Sequence, residues 1–110
     1  MRPSEVVERY FACMRDGDLG VIDLFHDDAR LVGLGRIVEG RDAIRGFYGE
    51  SIDASRPQPT LVGPLLTDGD RVAAEIEIAL STGDALHVVD LFVVDGDRIR
   101  SLTYFVADHP

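Results

Sequence analysis

Apolar positions change their period once along this chain. In the first half they recur at helical spacing, and from Thr60 onward they alternate or run together. Val6, Val7, Tyr10, Phe11, Cys13 and Met14 make a stripe that predicts a first helix, with Ser4 as its cap and Glu5 suited to the positive end of the dipole. Gly17 and Gly20 interrupt it, and Val21 to Phe25 reads as a short second helix that stops at His26-Asp27-Asp28. Ala29 to Leu34 predicts a first strand, followed by a turn containing Gly33, Gly35 and Gly40. Asp42 opens a third helix with the stripe Ile44, Phe47, Tyr48 and Ile52, which Gly46 weakens by about 1 kcal/mol relative to Ala. Pro57 and Pro59 mark an extended connection.

Beyond that connection lie four apolar segments, Thr60–Leu66, Val72–Leu80, Ala85–Val94 and Ile99–Val106. They are separated by Thr67-Asp68-Gly69-Asp70, Ser81-Thr82-Gly83-Asp84 and Asp95-Gly96-Asp97, which predicts an antiparallel meander. Helices early and strands late give an α+β class, a curved sheet around three N-terminal helices that can enclose an apolar pocket. One domain spans 1–110.

The segment Ala85–Val94 is the most apolar and organises the rest. Alternation puts Leu86, Val88, Asp90 and Phe92 on one face, and His87, Val89, Leu91 and Val93 on the other. Asp90 therefore stands among large apolar side chains. There a carboxylate is costly to ionise, and its protonated form is a hydrogen-bond donor. The ordinary alternatives are an Asp at the strand rim or one paired with an Arg. Tyr10 lies in a helical stripe and can equally be a core tyrosine with a satisfied hydroxyl. Glu75 and Glu77 have the i, i+2 spacing of paired catalytic carboxylates, but the polar face of any half-exposed strand has it too.

Composition removes several function classes. A net charge of −9 without clustered Arg argues against nucleic acid and against anionic membranes. All basic residues are Arg; the absence of Lys excludes Schiff-base chemistry and a P-loop. Gly33-Leu34-Gly35-Arg36 begins like a dinucleotide fingerprint, but the next glycine is Gly40 and the pattern fails. His26, His87 and His109 fit no metal-ligand spacing, so neither a metal nor another cofactor is expected. Cys13 is alone, and no apolar run approaches bilayer length, so a soluble, cytoplasmic protein is the expectation.

Several stretches together resemble the nuclear-transport-factor-2-like superfamily in its SnoaL-like and ketosteroid isomerase branch. They are Arg9-Tyr10, Asp16-Gly17-Asp18, Phe25-His26-Asp27-Asp28-Ala29, Gly40-Arg41-Asp42-Ala43-Ile44 with Phe47-Tyr48, Val88-Val89-Asp90-Leu91-Phe92 and Asp97-Arg98-Ile99. The resemblance covers almost the whole chain and implies a cone-shaped fold. Tyr10 matches the tyrosine of the isomerases' oxyanion hole, Asp90 their protonated aspartic acid, and Tyr48 a tyrosine that orients the first. It also implies Val88, Phe92, Leu31, Phe25 and Tyr104 as ligand contacts or supports.

The resemblance departs at the general base. In the isomerases an aspartate follows acidic-acidic-Ala-x-x-x, and the matching position here is Gly33. By strand alternation, an aspartate at position 33 would share a face with Leu31 and enter the pocket mouth. The resemblance thus implies a steroid Δ5-3-ketoisomerase-type protein that binds a steroid-like ketone or phenol and turns over poorly without its base. Other implications of the same superfamily are a polyketide cyclase or epoxide hydrolase using Asp90 as base, or a binding protein without catalysis. The apolar face carrying His87, Val89, Leu91 and Val93 predicts a homodimer.

Overall fold

The computed structural model describes residues 1–107. Its elements are α1 (Pro3–Asp16), a 3-10 helix (Leu19–Leu24), β1 (Phe25–Gly33), β2 (Arg36–Glu39), α2 (Arg41–Ser55), β3 (Gln58–Leu61), β4 (Leu66–Asp68), β5 (Arg71–Ala79), β6 (Ala85–Asp95) and β7 (Arg98–Val106). The class is α+β, with a curved sheet against the helices, as the pattern predicts. The helix set differs: the second helix is of 3-10 type, and α2 follows a β-hairpin.

Local chemistry accounts for the boundaries. Helix α1 starts at Pro3, not Glu5, because proline suits a first turn that needs no N–H. Ser4 is inside the helix, and Glu5 ties down its start, its Oε1 accepting from the Arg2 backbone N–H at 3.1 Å and from the Arg2 Nε at 3.0 Å. Gly17 ends the helix at φ 63, with the Asp18 N–H donating back to the Cys13 carbonyl at 2.9 Å. His26-Asp27-Asp28 belongs to β1 instead of a helix end, and a register shift against β7 lies between Phe25 and Arg30. Arg41 clamps that irregular stretch, donating from Nη2 to the Phe25 carbonyl at 2.7 Å and to Asp27 at 3.0 Å.

Two further strands depart from the predicted pattern. After a two-residue turn, Leu34-Gly35, the chain returns as β2, where a turn alone was expected. The segment Thr60–Leu66 is split into β3 and β4 around Gly63-Pro64, since proline cannot donate within a strand.

The sheet order is β2-β1-β7-β6-β5-β3, with β4 also on β5. The β1–β7 pair is parallel and the other pairs are antiparallel. On β6, Val88, Asp90, Phe92 and Val94 point to the helices and are buried, so the predicted inward face is the observed one. Burial on that face falls toward one end. It runs from Val72 and Ala74 to half-buried Ile78 on β5, and from Leu102 through Tyr104 to exposed Val106 on β7. Helices and sheet therefore separate at that end, which opens a cavity.

Candidate functional site

The opening is an apolar cavity of about 200 Å³, walled by α1, α2 and the inner faces of β5, β6 and β7. Asp90 is the one carboxyl on its wall among the described residues, which place no Arg or His there. It is 1 % exposed, and its Oδ1 has no hydrogen-bond partner among the described residues. Its cross-strand neighbours are Ala74 on β5 and Tyr104 on β7. Burial pushes the carboxyl up to about 7, which makes its uncharged form far more accessible near neutrality than that of an ordinary Asp. The alternatives of a strand-rim or Arg-paired carboxylate do not hold.

All three tyrosines of the chain converge here. The Tyr10 and Tyr48 hydroxyls are 2.8 Å apart, and those of Tyr48 and Tyr104 are 2.7 Å apart. Two hydrogen bonds use two of the three hydroxyl protons, so one proton always remains for another acceptor. Burial pushes all three phenols above their ordinary range, and for Tyr10 and Tyr104 the Asp90 charge adds to this. They stay protonated as donors. Phe92 and Phe11 hold the Tyr10 ring edge-on, each at a 5.1 Å centroid distance.

Of the residues singled out in the sequence, Tyr10, Tyr48, Val88, Asp90 and Tyr104 line the cavity together. Phe25 and Phe92 do not line it; they pack behind Tyr10, so they support the ring rather than meet a ligand. Leu31 borders a smaller cleft shared with Gly33 and Tyr104.

Gly33 lies close against β7. Its φ is +145°, and a Cβ there would lie 2.9 Å from both the Cβ and the carbonyl oxygen of Tyr104. With the backbone as it stands, a side chain at this position meets Tyr104 of β7, because β1 runs alongside β7 with Val32 opposite Thr103. The close approach of β7 leaves no room for an aspartate at 33 unless the backbone shifts.

Other lining residues escaped the sequence reading. Ser51 and Ser55 line the cavity, and their spacing from Tyr48 (three and seven positions) would have placed them on its helix face. Leu34 also lines it, from the hairpin turn, with no periodic signal to find it. His87 faces outward against Glu75 at 2.7 Å, His26 meets the Asp95 carbonyl, and His109 lies outside the described residues. Among the described residues, no group of three His, Cys, Asp or Glu could hold a metal, and no helix is long and apolar enough to cross a membrane.

The SnoaL-like domain model matches residues 7–102. Comparison with curated proteins gives no match. Solved structures give many, and they share the nuclear-transport-factor-2-like cone. A candidate ketosteroid isomerase from Kribbella flavida DSM 17836 has a TM-score of 0.88 at 20% identity, over 98% of this chain and 79% of that one. A candidate polyketide cyclase from Sinorhizobium meliloti has 0.84 at 19%, over 92% and 94%. A computationally designed 17-OHP binder has 0.84 at 18%, over 96% and 94%. At these identities the likeness is one of fold.

Proposed function

The chain belongs to the SnoaL-like domain family, and from that premise and its cavity we propose a ketosteroid-isomerase-type pocket for a small, neutral, apolar carbonyl compound or phenol. The buried Oδ1 of Asp90, without a partner among the described residues, carries the reading. A buried carboxyl left without a hydrogen bond is costly, and a ligand oxygen relieves that cost. Protonated Asp90 and the spare proton of the tyrosine chain then converge on one oxygen, which is the arrangement that stabilises a developing enolate. Charged ligands are disfavoured, because the wall offers phenols and the Ser51 and Ser55 hydroxyls but no counter-ion among the described residues.

The test is titration of an acceptor-only steroid ketone from pH 5 to pH 9, alongside turnover of 5-androstenedione. A ketone needs the protonated carboxyl, so affinity is expected to fall as pH rises above about 7. Tyr10→Phe is expected to weaken binding about 5- to 150-fold, the equivalent of about 1–3 kcal/mol for an unpaired buried partner. Absence of binding, or an affinity independent of pH, would remove the proposal.

The upward shift of Asp90 toward neutrality favours a second reading, in which the carboxylate is a general base and the phenols hold the enolate. This is the polyketide-cyclase alternative. Its activity would rise through pH 7, where ketone binding falls.

We also propose a homodimer through the outer face of the sheet. The register aligns Leu66, Ala73, Leu91, Thr103, Val32 and Ile37 as one row across it, beside Val89 and Phe105. Ile37, Leu66 and Phe105 are each more than half exposed. Sedimentation is expected to show a dimer at micromolar concentration that Val89→Lys shifts to monomer; a wild-type monomer there refutes it.

A further inference from the structure

We infer that Leu34 forms an outer contact of the pocket, and that the ligand is longer than the cavity, resting its distal apolar end on this residue. The inference rests on the pocket reading above. Leu34 and Gly35 form the two-residue turn between β1 and β2, with φ values of 55° and 77°. Both residues of such a turn take positive φ, where asparagine, aspartate and glycine are at ease and leucine is strained. The same leucine is 64% exposed, yet it lines the cavity. A strained backbone and an uncovered apolar side chain at one position are both unfavourable in the free protein. A covering apolar surface removes the second.

The surroundings indicate what that surface is. The hairpin is tied to the pocket wall: the Arg36 guanidinium sits 4.9 Å from the Phe47 ring centroid, and Phe47 stacks on Tyr104 at 6.5 Å. Leu34 is thus held near the tyrosine chain, at the rim where Val106 is also 41% exposed. The cavity of about 200 Å³ is smaller than the ~300 Å³ at which ligand pockets usually begin. A ligand anchored by its oxygen at Asp90 therefore reaches the rim, and an apolar extension meets Leu34 there. The class implied is an elongated neutral molecule with one hydrogen-bonding end and an apolar far end.

The experiment compares 2-naphthol, short enough for the cavity, with the four-ring phenol equilenin, on wild type, Leu34→Asn and Leu34→Met. Asparagine suits the turn, so Leu34→Asn is expected to fold and to raise Tm by about 4 °C. It should bind 2-naphthol within twofold of wild type and equilenin about tenfold more weakly. Leu34→Met should keep the equilenin affinity. If Leu34→Asn binds both phenols as wild type does, or loses both equally, the outer contact is refuted. If wild type binds neither phenol, the pocket reading itself falls and this inference with it.

Discussion

Gly33→Asp is expected to destabilise the protein by about 2–6 kcal/mol and to leave steroid isomerisation at its starting rate. The backbone at Gly33 has φ +145°, a region in which a residue with a Cβ is strained by about 1–3 kcal/mol. The added Cβ would also lie 2.9 Å from the Tyr104 carbonyl oxygen and Cβ. Backbone cannot move aside as a flexible side-chain end can, and overpacking of this kind adds about 1–3 kcal/mol. A domain of this size has about 5–15 kcal/mol in total, so the loss will be conspicuous in a urea midpoint. Gly33→Ala separates sterics from charge, because it brings the same Cβ without a carboxylate and should lose most of the same stability. An unchanged midpoint for Gly33→Asp with a large gain in 5-androstenedione turnover would return position 33 to the role of general base.

The second large effect is a dependence of stability on pH that traces to Asp90. Its carboxyl is raised from an ordinary 3.8 to about 7 by burial. Between those two values the folded protein holds a proton that the unfolded chain has released, so folding is favoured most at the acid end. Stability from this group is fully present below about pH 4, declines through the window, and is gone above about pH 7. Three units of separation amount to on the order of 4 kcal/mol. Glu5, Asp95 and Asp97 act in the opposite sense, since their ion pairs lower their carboxyls. The contribution of Asp90 is therefore read as the difference between wild type and Asp90→Asn, which cannot titrate at this position. That difference should tilt against wild type as pH rises from 4 to 7. Parallel stability curves would show that Asp90 is not held in its uncharged form.

The meander and the inward face of β6 were legible because strand alternation and glycine-bearing turns are local signals. Asp90 could be placed among Val88 and Phe92 on that ground alone. The approach of Tyr10 and Tyr48 to Asp90 followed from a curved sheet whose Asp90 face meets the helices, and resemblance added only their roles, since each helical stripe accounts for its own tyrosine as core. What was missed depends on contacts distant in sequence. Strand β2 has four residues, mostly exposed, and exists because β1 offers it an edge. The direction of Gly33 depends on how closely β1 approaches β7, and no pattern within Ala29 to Leu34 contains that distance. Leu34 breaks a local rule of turn chemistry, so propensity argued against a turn residue at that point.

The parallel pairing of β1 with β7 also governs how this chain can fold. Leu31 lies opposite Leu102 in that register, and β7 sits between β1 and β6. Hairpins among β5, β6 and β7 can form from neighbouring residues, but β1 has no edge to join until the last described strand is in place. The entropy of closing so long a loop must be overcome before those contacts repay it, so the rate-limiting event should be the docking of the β1–β2 hairpin. On a ribosome, α1 and the first hairpin emerge early and wait with Phe25 and Leu31 uncovered until Val106 has been synthesised. The newborn chain is therefore most prone to aggregation late in its translation, when its apolar strands are present but unpaired.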